Sequence, residues 1–201
     1  MTVAFWWRRL AATVATCLFL ATPAQADSWV AAKATARASA NGQFVVRIAP
    51  GSSMGEVYGF GELPKGPHAT AQWHRFNGNS YKRIRTITLL NPIAPVDIEV
   101  TDRGALVTID NWHNRGGGNV LVIYSPLGEV VKKFTLRDLY SEDDIARFET
   151  SVSSVYWRCP GLSSSLESSD VLWVDDNLGG RFVFKLDTGA FVYQHGKGSC
   201  Q

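Results

Sequence analysis

The chain has 201 residues, with 20 Lys and Arg against 18 Asp and Glu and a formal charge of +2. The surplus cations, Arg8 and Arg9, fall in a leader-like N-terminus, so the remainder balances at 18 against 18. A neutral remainder of about 175 residues lacks the basic footprint of a nucleic-acid binder and suits one domain with a sizeable core.

Residues 1–26 read as a signal peptide. Arg8 and Arg9 form the positive region, Leu10 to Thr22 the apolar run, and Ala24-Gln25-Ala26 a small-x-small cleavage site. Cleavage after Ala26 leaves Asp27 as the first mature residue. The run is shorter than the roughly 20 residues of a spanning helix, and no later run is longer, so no integral membrane anchor is expected. Cys17 follows Thr16 where a lipobox wants a smaller residue, which argues against lipidation. The expected location is periplasmic or secreted. Cys159 and Cys200 survive cleavage, and an oxidising compartment favours a bridge between them.

Residues 27–40, rich in Ala, Ser and Thr, read as a flexible or edge-docking segment ahead of a single β domain at 41–201. Strands then dominate. Phe44 to Ile48 follows the turn pair Asn41-Gly42, and Gly51 to Pro67 is a long loop. Gln72 to Phe76 and Tyr81 to Leu90 flank the hairpin signal Asn77-Gly78-Asn79. Val96 to Val100 and Ala105 to Asp110 flank Asp102-Arg103-Gly104, and Val120 to Tyr124 and Val130 to Leu136 flank Pro126-Leu127-Gly128. One short helix is predicted from Glu142 to about Phe148, because Ser141 and Asp144 have capping-box spacing and Glu142 and Asp143 suit a helix N-terminus. Val152 to Trp157, Val171 to Val174, Arg181 to Leu186 and Ala190 to Tyr193 read as strands, with Gly161 to Ser169 as a loop.

The strand pattern recurs. Strands starting at Phe44, Ala105 and Val171 are 61 and 66 residues apart, and each is followed by a hairpin with a central Gly: Gly78, Gly128 and Gly189. We read three-stranded repeats at 41–95, 96–150 and 151–201. The sequence from Asp102 to Phe134, with DRGALVTID followed by NVLVIYSPLGEVVKKF, resembles β-propeller blades of the broad WD40, NHL and quinoprotein-like kind. The chain also resembles secreted bacterial proteins of uncharacterised activity. The blade resemblance implies an all-β, antiparallel, propeller-like fold and carries no catalytic residue across. Three repeats are fewer than the four blades a ring needs. The expectation is therefore a partial propeller, or one completed by self-association, with an open β-sandwich as the alternative.

Candidate chemistry centres on Asp110-Asn111-Trp112-His113-Asn114-Arg115, which ends a strand and enters the Gly116-Gly117-Gly118 loop. His113 with Asp110 could form an acid–base pair. A second run, Trp73-His74-Arg75, would join Trp112, His113 and Arg115 in a binding wall if the two converge; the favoured alternative is that Trp73 and Trp112 anchor the core and the histidines are exposed. The glycines are not a phosphate loop, since no Lys-Ser or Lys-Thr follows them. Asp170, Asp175 and Asp176 lack calcium-loop spacing, and the four histidines lack zinc spacing. No cofactor or metal is expected.

These features fit an exported envelope binding or scaffold module more closely than an enzyme. Its expected partner is a protein or a small polar ligand. The alternative is a periplasmic hydrolase or lyase using His113 and Asp110.

Overall fold

The computed structural model describes residues 29–52, 66–159, 164–168, 170–198 and 200. The signal peptide, its cleavage site, Cys17 and most of the Gly51–Pro67 loop lie outside the described residues.

The described residues form three antiparallel sheets, each of four strands paired in chain order. The first holds β1 (Thr35–Ala38), β2 (Phe44–Ala49), β3 (Thr70–Phe76) and β4 (Tyr81–Thr88). The second holds β5 (Pro95–Val100), β6 (Leu106–Asn111), β7 (Leu121–Tyr124) and β8 (Val130–Phe134). The third holds β9 (Ser164–Ser168), β10 (Val171–Asp175), β11 (Arg181–Lys185) and β12 (Phe191–Gln194). Turn chemistry sets the hairpins. In the β3–β4 turn, Asn77 Oδ1 accepts from the amides of Asn79 at 3.1 Å and Ser80 at 2.9 Å, and Gly78 takes φ 94°.

Four strands per sheet replace the three expected. The segment 27–40 contains β1, an exposed strand that pairs Thr35 with Ile48 and Ala38 with Val45 at a sheet edge. The expected loop Gly161–Ser169 contains β9, which pairs with β10. β1 alternates Thr35 and Arg37 with Ala36 and Ala38, too small to mark a buried face, and β9 does not alternate. An adjacent strand edge supplies the hydrogen bonds that fix them, and sequence periodicity does not register that partner. Conversely, Val152–Trp157 is not a strand. Only isolated bridges mark this region, Thr150 with Val155 and Arg158 with Asp176.

Among the described residues, two short helices stand where one was expected. α1 (Leu136–Leu139) has its first turn closed by the Thr135 amide, which donates to Asp138 Oδ2 at 2.7 Å. α2 (Glu142–Ile145) starts as predicted, with Ser141 Oγ accepting from the Asp144 amide at 3.2 Å. It ends before Phe148, which is buried in the core.

The sheets stack face to face, with the second in the middle. Strand periodicity of two divides its residues. Leu106, Val122 and Tyr124 face the first sheet and pack with Val46, Ile48 and Trp73. Val107, Ile109, Leu121 and Ile123 face the third and pack with Leu172, Val174, Phe182 and Phe184. A strand buried on both faces has no polar positions to spare, which explains the unbroken apolar run from Val120 to Tyr124. Trp73 also ties two sheets together, its Nε1 donating to the Gly104 carbonyl at 2.8 Å. The row is open rather than a closed ring. On the outer side of the third sheet, Arg181 lies 4.2 Å over the Trp173 ring and pairs with Asp175 at 2.6 and 3.0 Å.

Cys159 and Cys200 form a disulfide across 41 residues. It fastens the chain end to the segment before β9.

Candidate functional site

Asp110 closes strand β6 at φ 57°, a left-handed conformation that Asp tolerates better than most residues. Its side chain is fully buried. Oδ1 accepts from Trp157 Nε1 at 2.7 Å and from the Gly116 amide at 3.1 Å, and Oδ2 accepts from Arg158 Nε at 2.7 Å. Arg158 also pairs with Asp97, one strand over on β5. Burial pushes the Arg158 guanidinium down, and the carboxylates of Asp110 and Asp97 outweigh it and hold the group above its ordinary value.

A second buried carboxylate follows the end of β10 and fixes the turn after it. Asp176 is fully buried and takes hydrogen bonds from the Leu178 and Gly180 amides at 2.9 and 2.7 Å and from the Tyr140 and Tyr193 hydroxyls at 2.9 and 2.8 Å. Between the two carboxylates runs the segment 155–159. Asn177 fixes it further, with its amide donating to the Trp157 carbonyl at 3.0 Å and Nδ2 to the Tyr156 carbonyl at 2.6 Å. The segment expected as a strand is thus a wedge held by side chains from two sheets. That is why it needs no ladder.

The wedge forms the floor of two adjoining cavities of about 320 and 570 Å³. Arg115, Tyr156 and Arg158 line both. The smaller adds Asp97, Asp110 and Trp112, and the larger adds Arg147, Phe148 and Glu149.

The expected residues divide into two groups. Trp112, His113 and Arg115 meet around Trp29. The Trp29 ring lies 5.3 Å from Trp112 and 5.5 Å from His113, with the Arg115 guanidinium 5.6 Å over it. Trp112 Nε1 donates to the Val30 carbonyl at 2.9 Å. His113 sits at φ 69°, and burial holds its imidazole below the ordinary value. No hydrogen bond joins His113 to Asp110 among the described residues, and the Asp110 oxygens are engaged by Trp157, Arg158 and Gly116.

Trp73, His74 and Arg75 do not converge with this group. Trp73 is wholly buried and bonds Gly104, just before β6, whereas Trp112 follows the last residue of β6. Six strand residues, roughly 17 Å or more, separate those ends. His74 occupies the opposite sheet face, and Arg75 lies 5.8 Å over the Phe44 ring. The aspartates weighed for calcium also serve elsewhere: Asp170 pairs with Arg103, Asp175 with Arg181, and Asp176 accepts from the Gly180 amide and the Tyr193 hydroxyl.

Sequence reading did not find Trp29, Asp97, Tyr156 or Arg158. Arg158 beside a bridged cysteine was the only hint, because its partners lie 48 and 61 residues away. No protein-family model matches the chain, and no curated protein matches it.

Proposed function

We propose that the chain is an exported binding module of the bacterial envelope, which receives a small polar ligand or a partner segment in the cleft above Arg115, Tyr156 and Arg158. The observation that carries this reading is the commitment of Asp110. A general base needs an oxygen within reach of the substrate proton. Both Asp110 oxygens are spent on Trp157, Arg158 and Gly116, so the carboxylate builds the floor of the cleft. The walls above it carry what recognition uses, namely aromatic rings and guanidinium groups beside open space.

Export rests on the N-terminal sequence and fits the disulfide, which persists in oxidising compartments. The three four-stranded meanders, each packed on the next, support reading the chain as an open row of propeller-like blades. This reading gives sites on the cleft, not on Trp73, His74 and Arg75.

The test is cross-linked affinity capture of the tagged protein from its native envelope, read by mass spectrometry and repeated with Tyr156→Ala. One stoichiometric partner that depends on Tyr156 is the expected result. Recovery of the protein alone, followed by an activity that His113→Ala abolishes in a folded protein, would replace this reading with the hydrolase or lyase.

A further inference from the structure

Arg115 has a feature that the binding reading leaves unused. Its Nε is buried and has no hydrogen-bond acceptor among the described residues. A buried donor without an acceptor bears its full desolvation cost, and such atoms mark places where another group completes the structure. Trp29 covers the face of this guanidinium. The N–H donors lie in the guanidinium plane, so the ring on the face does not occupy the edge, and once a ligand displaces the groups that bury Nε, Nε–H with a neighbouring Nη–H forms a fork that fits two oxygens of one oxyanion.

Arg115 lies where the two cavities join, and the walls narrow the choice of ligand. Arg158 is held by Asp110 and Asp97, and Arg147 pairs with Asp144 at 3.1 Å. Glu149 also lines the larger cavity. With these carboxylates near the cations, a multiply charged anion meets repulsion, whereas a single negative charge balances Arg115. The cavity walls also carry Tyr156, shared by both, with Trp112 on one side and Phe148 on the other. Such rings suit a flat or apolar body behind the charged group.

We infer that the junction of the two cavities binds a singly charged carboxylate attached to a ring, with the edge of Arg115 as its anchor and Tyr156 beside its body. The inference rests on the binding-module reading and names the ligand class of the same cleft.

The experiment uses the mature protein labelled with nitrogen-15. Arginine Nε–H signals are followed by NMR during titration with sodium benzoate, uncharged benzamide and inorganic phosphate, with Arg115→Lys identifying the Arg115 signal. Benzoate is expected to shift that signal saturably in the millimolar range, with benzamide and phosphate each binding at least roughly tenfold more weakly. Arg115→Lys, which keeps the charge and loses the fork, should weaken benzoate by roughly tenfold without moving the thermal midpoint, as read in that variant on the Nε–H signal of Arg158, which lines both cavities. Equal binding of benzoate and benzamide, tighter binding of phosphate, an undiminished affinity in Arg115→Lys, or no saturable shift would each overturn the inference. Any of these results together with a Tyr156-dependent partner in the envelope capture would leave the binding-module reading standing.

Discussion

Arg158 Nε donates to Asp110 Oδ2 at 2.7 Å, with 7% of the arginine side chain and none of the aspartate side chain exposed. A buried pair of this kind is a poor source of net stability, yet losing one partner strands the other charge. Arg158→Met should therefore destabilise the protein by about 3–5 kcal/mol. Arg158→Met with Asp110→Asn should recover part of that loss, since no unpaired charge then remains at Asp110. Urea denaturation of the two variants checks this. Equal losses in the single and double variants would mean that the pair is not the determinant.

His113 gives a pH dependence of defined sign. Burial holds its folded-state value below the ordinary one of about 6.5, so the unfolded chain binds the proton more readily. The stability linked to this group is present above about pH 6.5 and falls as pH drops toward the folded value. His113→Asn should remove this slope and keep the fold, because Asn accepts φ 69°. Thermal midpoints of both proteins, measured across mildly acidic pH, provide the check.

The disulfide between Cys159 and Cys200 closes a long loop and anchors the chain end. Replacing both cysteines by Ser should cost about 2–4 kcal/mol in chemical denaturation. Thiol labelling of the unreduced mature protein should find no free cysteine.

The tyrosines report the buried carboxylate of the third sheet. Burial, with Asp176 as the second cause, pushes Tyr140 far above its ordinary value, and burial and the hydrogen bond to Asp176 push Tyr193 the same way. Tyr124 is raised by burial to about 12. In an alkaline titration these phenolates should appear only at strongly basic pH or together with loss of structure. Asp176→Asn should bring the Tyr140 and Tyr193 transitions down while leaving Tyr124 in place, as read by phenolate absorbance.

Local signals were legible wherever local chemistry decides the structure. Asn77-Gly78-Asn79 makes its hairpin through the Asn77 side chain, and Ser141 caps its helix through Asp144. Short apolar runs bounded by turn residues located the central strands of every sheet, and the middle sheet is apolar on both faces because residues such as Leu106 and Val107 face different neighbours. The cysteine count, with the export expected from the N-terminal sequence, led to the bridge between Cys159 and Cys200.

What the sequence determined by itself was therefore the antiparallel β class, the turns, most of the core strands and the disulfide. Tertiary structure decided the fourth strand of the first and third sheets, the wedge at 155–159 and the membership of the cleft. β1 and β9 become strands because an edge is there to pair with, a contact set by backbone groups common to all residues. The cleft depends on Trp29, Asp97, Asp110, Arg115 and Arg158, which lie far apart in the chain and have no periodicity linking them. Charge pairing and burial act through space, so these residues acquired a common role only when the sheets stacked.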